Sequence, residues 1–368
     1  MRPLLVDLGR DYRGGQHQAL LLLQGLRERG HAPELIAVRD SPLAARARES
    51  GAPVHAADPK RRRFSAMLQI RELARDRRID LVHANEPHAL SSAWLARAHR
   101  AVPIVISRRI ALPLSQNSFS LARYRAAARV VAVSRFVEQS VMQSGIPADR
   151  ISVIYDGVQI PPEISETQRE SARDRLGIPR GAKCIGNVAA FVPEKGHALL
   201  LDAFAKLRAQ FPECLLLLRG EGPELPKLQS LSRQLSVSDA VKFLPSSVEI
   251  ETLFAAADIF AFPSHAEPLG SALLAAMAHA LPSVAIACGG VPEAAHDEEN
   301  ALLVSGLDSG AFASALARLL SHPEQASLLG EAARETIHAR FSSDRMVEET
   351  LRLYECLLGA RGGLDSQD

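Results

Sequence analysis

This 368-residue chain holds too few cysteines for a disulfide framework: four, Cys184, Cys214, Cys288 and Cys356, scattered and without C-x-x-C spacing. Each stands in or beside an apolar run, which predicts reduced, buried thiols. An excess of one charge is also missing. Forty-three Lys and Arg stand against 42 Asp and Glu, a formal net charge of +1, so the electrostatic case for a nucleic-acid binder falls away. No apolar run approaches the roughly 20 residues of a membrane span. The segment Met1-Arg2-Pro3-Leu4-Leu5-Val6-Asp7 reaches an acid after three apolar positions. That is too early for a secretory signal, and a cytoplasmic protein is expected. The twelve histidines form no H-x-x-x-H pair with acids on one face, so no metal is expected. No G-x-S-x-G hydrolase elbow is present. The first strand lacks the G-x-G-x-x-G of dinucleotide binding.

What the chain does have is alternation. Strand-like runs at Leu4–Val6, Leu35–Val38, Asp80–His83, Pro103–Ile106, Arg129–Ser134 and Ile151–Ile154 are separated by helical patterns. Pro161-Pro162-Glu163 then opens a polar, extended stretch, the best linker candidate. The pattern restarts at Cys184–Val188 and continues through Leu215–Leu218, Val241–Leu244, 259–262 and 283–287. Alternating strands and helices with short connections predict parallel sheets covered on both faces, and the length calls for more than one core. The expectation is α/β, with two Rossmann-like domains at 1–160 and 161–343 and an amphipathic helix over about 344–359.

Several loops fall at strand ends, where α/β sheets bind ligands. Gly14-Gly15 precedes a helix and permits close approach of a ligand or simply makes a βα turn. Lys195, in Val192-Pro193-Glu194-Lys195-Gly196-His197, stands at a helix mouth, where it is a phosphate contact or an exposed loop lysine. Gly220-Glu221-Gly222 is a second glycine loop or a tight turn, and Glu267 and Glu293 fit helix-start acids. In the first half, His83 and Asn85 end one strand and Arg108 and Arg109 the next. With Arg13 in the first loop, these arginines suit an anionic acceptor, or else internal ion pairing. The run Lys60-Arg61-Arg62-Arg63 is a solvated helix start or a contact for an acidic membrane surface.

Taken together, Gly14-Gly15 through Arg29-Gly30-His31, Glu194-Lys195-Gly196-His197 and the stretch from Pro263 to Glu293 resemble the GT-B glycosyltransferases of family 4. The resemblance runs over nearly the whole length and is strongest in 183–305. It implies two Rossmann-like domains facing a cleft, and transfer of a sugar from a nucleoside diphosphate sugar to an acceptor held by the first domain. Retention of anomeric configuration, no metal or other cofactor, and a final helix that crosses back to the first domain are implied with it. By the same resemblance Glu267 positions the sugar, and Lys195 with the backbone of Leu269, Gly270 and Ser271 meets the sugar and diphosphate. Gly15, Gly222 and Glu293 complete the donor side. Arg13, His83, Asn85, Arg108 and Arg109 make up the acceptor side. Several positions depart from the family pattern. Ser107 and Arg108 stand where a histidine near the sugar is usual. Ala190 replaces a usual arginine, Ala275 a second acid eight residues after Glu267, and Ala301 a glycine. These substitutions leave open a second reading, a weakened homologue that acts as a nucleotide-binding or partner subunit.

Overall fold

The first strand, β1 (Pro3–Asp7), is buried along its whole length. Leu4 and Val6 enter one core and Leu5 another, because helices cover both faces of its sheet. The computed structural model, which describes residues 1–115 and 117–362, divides into two units. One is Met1–Gly157 together with the chain from Ser343 on, and the other is Val158–Ser342. After β1 the first unit runs through α1 (Gly14–Glu28), β2 (Glu34–Val38), α2 (Pro42–Glu49), β3 (Val54–Ala57), α3 (Arg62–Arg75) and β4 (Leu81–Ala84). It continues with α4 (Pro87–Leu95), β5 (Ile104–Arg108), α5 (Ser118–Arg125), β6 (Arg129–Ala132), α6 (Arg135–Gln143) and β7 (Ile151–Val153). Its seven parallel strands take the order β3-β2-β1-β4-β5-β6-β7.

The second unit comprises α7 (Glu166–Arg175), β8 (Cys184–Val188), α8 (His197–Arg208), β9 (Leu215–Arg219), α9 (Leu225–Gln234) and β10 (Val241–Leu244). Then follow α10 (Ile250–Ala256), β11 (Ile259–Phe262), α11 (Ser271–Ala278), β12 (Ser283–Ile286), β13 (Leu302–Val304), α12 (Ser309–Ser321) and α13 (Pro323–Arg340). Its six parallel strands are ordered β10-β9-β8-β11-β12-β13. In each sheet the order reverses once, between β1 and β4 and between β8 and β11. Such a reversal opens a crevice beyond the strand ends, the usual ligand position in open α/β sheets.

The last helix, α14 (Ser343–Gly362), belongs to the first unit. Val347, Leu351 and Tyr354 join Leu20, Leu23 and Leu43 in the core on the α1–α2 face of the sheet. The opposite face is packed by Ala66, Ile70, Leu90, Tyr124 and Val137 from α3 to α6. Among the described residues no helix is long and apolar enough to cross a membrane.

Three local expectations need correction. The stretch after Pro161 is not extended throughout, since α7 starts at Glu166 under a capping box made by Ser165 and Gln168. The short strands β3 and β13 extend the two sheets beyond the runs visible in the sequence. Of the cysteines, Cys184 and Cys214 are buried, but Cys288 is half-buried and Cys356 lies exposed on α14.

Candidate functional site

In the second unit the loops after β8 and β11 meet at the point where strand order reverses. The turn Pro193–Lys195 ends in Gly196, whose backbone is left-handed at φ +69°. A Cβ there would lie 2.1 Å from the Pro263 carbonyl oxygen, so only glycine lets these loops close. His265 ties them further, its N–H donating to the Glu194 carbonyl at 3.0 Å. This closure brings Lys195 Nζ to Glu267 Oε1 at 2.6 Å. The Glu267 side chain is 7% exposed and that of Lys195 25%, a partly desolvated pair in which charge interactions are strong. The third loop, after β12, holds Glu267 from behind. Gly290 N–H donates to the Glu267 carbonyl at 3.0 Å. At Gly290 a Cβ would fall 2.1 Å from the Pro268 carbonyl oxygen.

Two helices begin beside this pair. Gly196 caps α8 and Gly270, at φ +99°, caps α11, and neither helix has a side-chain cap. Helix starts direct free N–H groups and positive dipole ends outward, an arrangement suited to phosphate. Leu269 and Gly270 are buried while Ser271 is exposed, so Leu269 can offer a ligand only its backbone. Half-exposed Ala275 lies one turn beyond Ser271 on the same face of α11. Ala190 is exposed on the loop after β8, and Glu293 sits half-buried in the turn Val291–Glu293 after Gly290. Gly222 is a packing position, since a Cβ there would stand 2.4 Å from the Phe191 carbonyl oxygen.

The loops after β9 and β10 carry a network that the sequence did not signal. Arg219 donates to the carbonyls of Val248 and Ser246, both at 2.6 Å. Glu221 accepts from the Ser246 N–H and hydroxyl. Nearby, buried His197 packs edge-on against Phe191 with no hydrogen-bond partner at either ring nitrogen. Burial, then the charge of Lys195, pushes its pKa down to about 4, so it is neutral at pH 7.

The first unit has its own polar net at the β1/β4 reversal. Fully buried Asp7 accepts from Gly9 N–H at 2.8 Å, Gln16 Nε2 at 3.0 Å and Asn85 Nδ2 at 2.5 Å. Asn85 Nδ2 also donates to the Gly15 carbonyl at 2.9 Å, and Asn85 Oδ1 accepts from Arg109 at 2.6 Å. Arg109 Nε in turn donates to Asp156 Oδ1 at 2.8 Å. Gly15, Asn85 and Arg109 are thereby brought together, joined by Asp7, Gln16 and Asp156.

The other first-unit positions lie elsewhere. His83 is buried, with Nδ1 at 2.5 Å from Tyr354 Oη and Nε2 at 2.7 Å from Ser107 Oγ. Burial pushes its pKa down to about 3. It fastens α14 to the sheet and has no open face for an acceptor. Arg108 is buried and donates to the Leu112 carbonyl at 2.6 Å. Arg13 is exposed beside Asp11 at 3.2 Å. Of the two readings given for these arginines, Arg109 takes the internal ion pair, with Asp156, while Arg108 is bonded to a backbone carbonyl.

A different cationic group stands at the same edge. Glu86 caps α4 by accepting from His88 and Ala89 N–H at 2.6 and 2.7 Å, and burial pushes its pKa up to about 7. Arg123 donates to the Pro87 carbonyl at 3.3 Å and to Ser91, and Arg62 to the Leu8 carbonyl at 2.8 Å. Burial and the positive charges of Arg63, Arg62 and Arg123 lower the pKa of His88. The charge around His88 is thus positive.

Two family profiles match the chain, Glycosyltransferase Family 4 over residues 12–160 and Glycosyl transferases group 1 over residues 168–336. A D-inositol 3-phosphate glycosyltransferase of Saccharomonospora viridis is 31% identical over 320 residues, covering 77% of this chain and 72% of that protein. The chain belongs to glycosyltransferase family 4. The enzyme of the same name from Corynebacterium urealyticum is 36% identical over 219 residues, a match spanning 56% of this chain and about half, 51%, of that relative. Among solved structures, a glycosyltransferase from Rickettsia africae aligns with a TM-score of 0.86 at 21% identity, over 97% of this chain and 98% of that one. Anabaena HepE in complex with UDP aligns with a TM-score of 0.82 at 23% identity, over 97% and 100%. These likenesses show the two-sheet GT-B fold. In this family-4 glycosyltransferase, the Lys195–Glu267 pair therefore lies at the strand reversal of the sheet matched by the group 1 profile.

Proposed function

We propose that the second unit binds a nucleoside diphosphate sugar and that the enzyme transfers the sugar, with retention, to an anionic acceptor held by the first unit. One observation carries the donor half: Lys195 and Glu267 pair at 2.6 Å between two helix starts that lack side-chain caps. In this reading the diphosphate takes Lys195 and the N–H groups of α8 and α11. Positive groups already in place there stabilise the charge of the departing diphosphate. Glu267, released from the lysine, meets the sugar. The Arg219–Glu221–Ser246 network frames the nucleoside side. Anabaena HepE, of this fold, has been solved in complex with UDP and with UDP-glucose, which makes UDP the first nucleotide to test.

For the acceptor, the support is the positive group of Arg62, Arg63 and Arg123 around His88. Arg62 and Arg123 donate to carbonyls and, among the described residues, form no ion pair. Arginine suits phosphate because its planar donors meet two oxygens at once. Several relatives are named for a phosphorylated inositol acceptor, a chemistry this group would recognise. Titration calorimetry with UDP tests the donor half. Lys195→Ala is expected to weaken binding by roughly 1.5–3 kcal/mol, the range for a charged hydrogen bond. Unchanged affinity would remove the loop after β8 from the site. For the acceptor half, Arg123→Gln should raise KM for a phosphorylated sugar alcohol while leaving UDP affinity as it was; equal KM in variant and parent rejects this group.

A further inference from the structure

The near-neutral total charge hides a strong separation along the chain. Residues 60–143, which carry α3 to α6, contain sixteen Lys and Arg against five Asp and Glu, a net +11 in a chain whose total is +1. The remaining residues therefore carry a net −10. Apolar exposure is just as uneven. Of ten large hydrophobic side chains exposed among the described residues, eight belong to this segment, and none lies on α1, α2 or α14, which cover the opposite face of the sheet. Phe64 and Leu68 on α3 are 55% and 48% exposed, Leu95 on α4 50% and Phe119 on α5 46%.

These side chains are arranged in order. On α3 and at its N-cap, Arg61, Phe64, Leu68, Arg71 and Arg75 are all exposed and recur every three or four residues, forming one stripe with its apolar pair between arginines. Glu72 borders the stripe, and Arg75 is partly offset by Asp76 at 2.9 Å. Next to it, α4 packs on α3, with Ser92 Oγ donating to the Arg63 carbonyl at 3.0 Å. Trp94 meets Phe119 edge-on at 5.3 Å, and the Arg123 guanidinium lies 5.5 Å from the Phe119 ring centre. Exposed aromatic and leucine side chains set among arginines match the requirements of a charged lipid surface. The arginines meet headgroup phosphates, and the apolar side chains enter the headgroup–acyl boundary.

We infer that the α3–α5 face of the first unit docks on an anionic lipid bilayer. A nucleic acid would use the arginines but leave Phe64, Leu68 and Leu95 without partners. A second copy would set like charges against each other. The docking face is independent of the proposed donor chemistry, because it involves neither the Lys195–Glu267 pair nor the second unit.

Vesicle sedimentation of the full chain tests the inference, using equimolar phosphatidylglycerol and phosphatidylcholine against phosphatidylcholine alone. The chain is expected to sediment with the anionic vesicles only, and to be released by added salt. The double substitution Arg61→Glu/Arg71→Glu should lower the partition coefficient at least ~tenfold, since each lysine or arginine at such a surface is worth about fivefold. Phe64→Ser/Leu68→Ser should lower it severalfold, with Tm and UDP affinity unchanged to show that fold and donor site are intact. The inference is overturned by equal binding to neutral vesicles, by binding indifferent to both double variants, or by tighter binding to an RNA or DNA oligonucleotide than to the anionic vesicles. A dimer in sedimentation that Phe64→Ser/Leu68→Ser dissolves would also overturn it, by assigning the face to a second copy.

Discussion

Lys195 and Glu267 each hold the other's charge, so a change at either leaves its partner exposed to the low-dielectric surroundings. Glu267→Gln should keep the loop closed through the Gly290 bond but free Lys195 for phosphate, so UDP affinity is expected to hold or rise while transfer activity falls. Calorimetry beside a transfer assay separates these effects. Ala275 gives a second test. It is half-exposed on the Ser271 face of α11, so a glutamate there has space and solvent. Ala275→Glu is expected to tighten UDP binding by roughly 1.5–3 kcal/mol through the ribose hydroxyls, at equal Tm. A large drop in Tm with no gain in affinity would show instead a site closed around the alanine. Glu86 contributes to the pH behaviour of the first unit. Its folded carboxyl keeps its proton up to about pH 7, above the value of an unfolded glutamate. It therefore favours folding at low pH and loses that contribution as pH rises toward 7. Buried His83 acts in the opposite sense, and its contribution is lost as pH falls toward 3. Glu86→Gln should match the parent at pH 4.5, because the amide, like the protonated carboxyl, offers one strong acceptor oxygen, and should become the more stable of the two toward pH 7. Urea melts at the two pH values measure it.

Among the elements, those with apolar periodicity were legible in the sequence and those held by charge were not. Helix α7 reads Glu-Thr-Gln-Arg-Glu-Ser-Ala-Arg-Asp-Arg and buries only Ala172. It is held by Arg169 and Arg173, which grip Asp258 at 2.7 and 3.0 Å, partners 89 and 85 residues away. No local pattern announces such a helix. Strand β3, Val-His-Ala-Ala, has only its last residue buried and lies at the sheet edge, so its apolar run is too short to stand out. The loops after β8 and β11 were legible as turns because glycine, proline and a single charge at strand ends serve a local turn. The Asp7–Asn85–Arg109–Asp156 chain was not, since it joins four loops that only the sheet order makes neighbours. Helix α14 supplies the test at this scale. Tyr354 is fully buried with its hydroxyl on His83. Tyr354→Phe should leave that imidazole nitrogen without a partner and cost about 1–3 kcal/mol, seen as a lower Tm with UDP affinity unchanged.

At the scale of the whole molecule, the cores of the two units share no residue, which implies two cooperative units. A ligand that binds one unit stabilises that unit by mass action, about 2.7 kcal/mol at a hundredfold excess over Kd. Calorimetric melting with UDP is therefore expected to raise the transition of the second unit and leave that of the first in place. Equal shifts in both would show tight coupling.

The return of α14 to the first unit bears on how the chain is made. The first 157 residues leave the ribosome without Val347, Leu351 and Tyr354, which complete the core around Leu20, Leu23 and Leu43. The 185 residues of the second unit come next. At about 5–20 residues per second this is an interval of roughly 10–40 s. During it the second unit can fold to completion while the first waits with one apolar face uncovered. The first unit, begun before the second, is thus completed after it, and its open leucine face is where a nascent-chain chaperone would be needed.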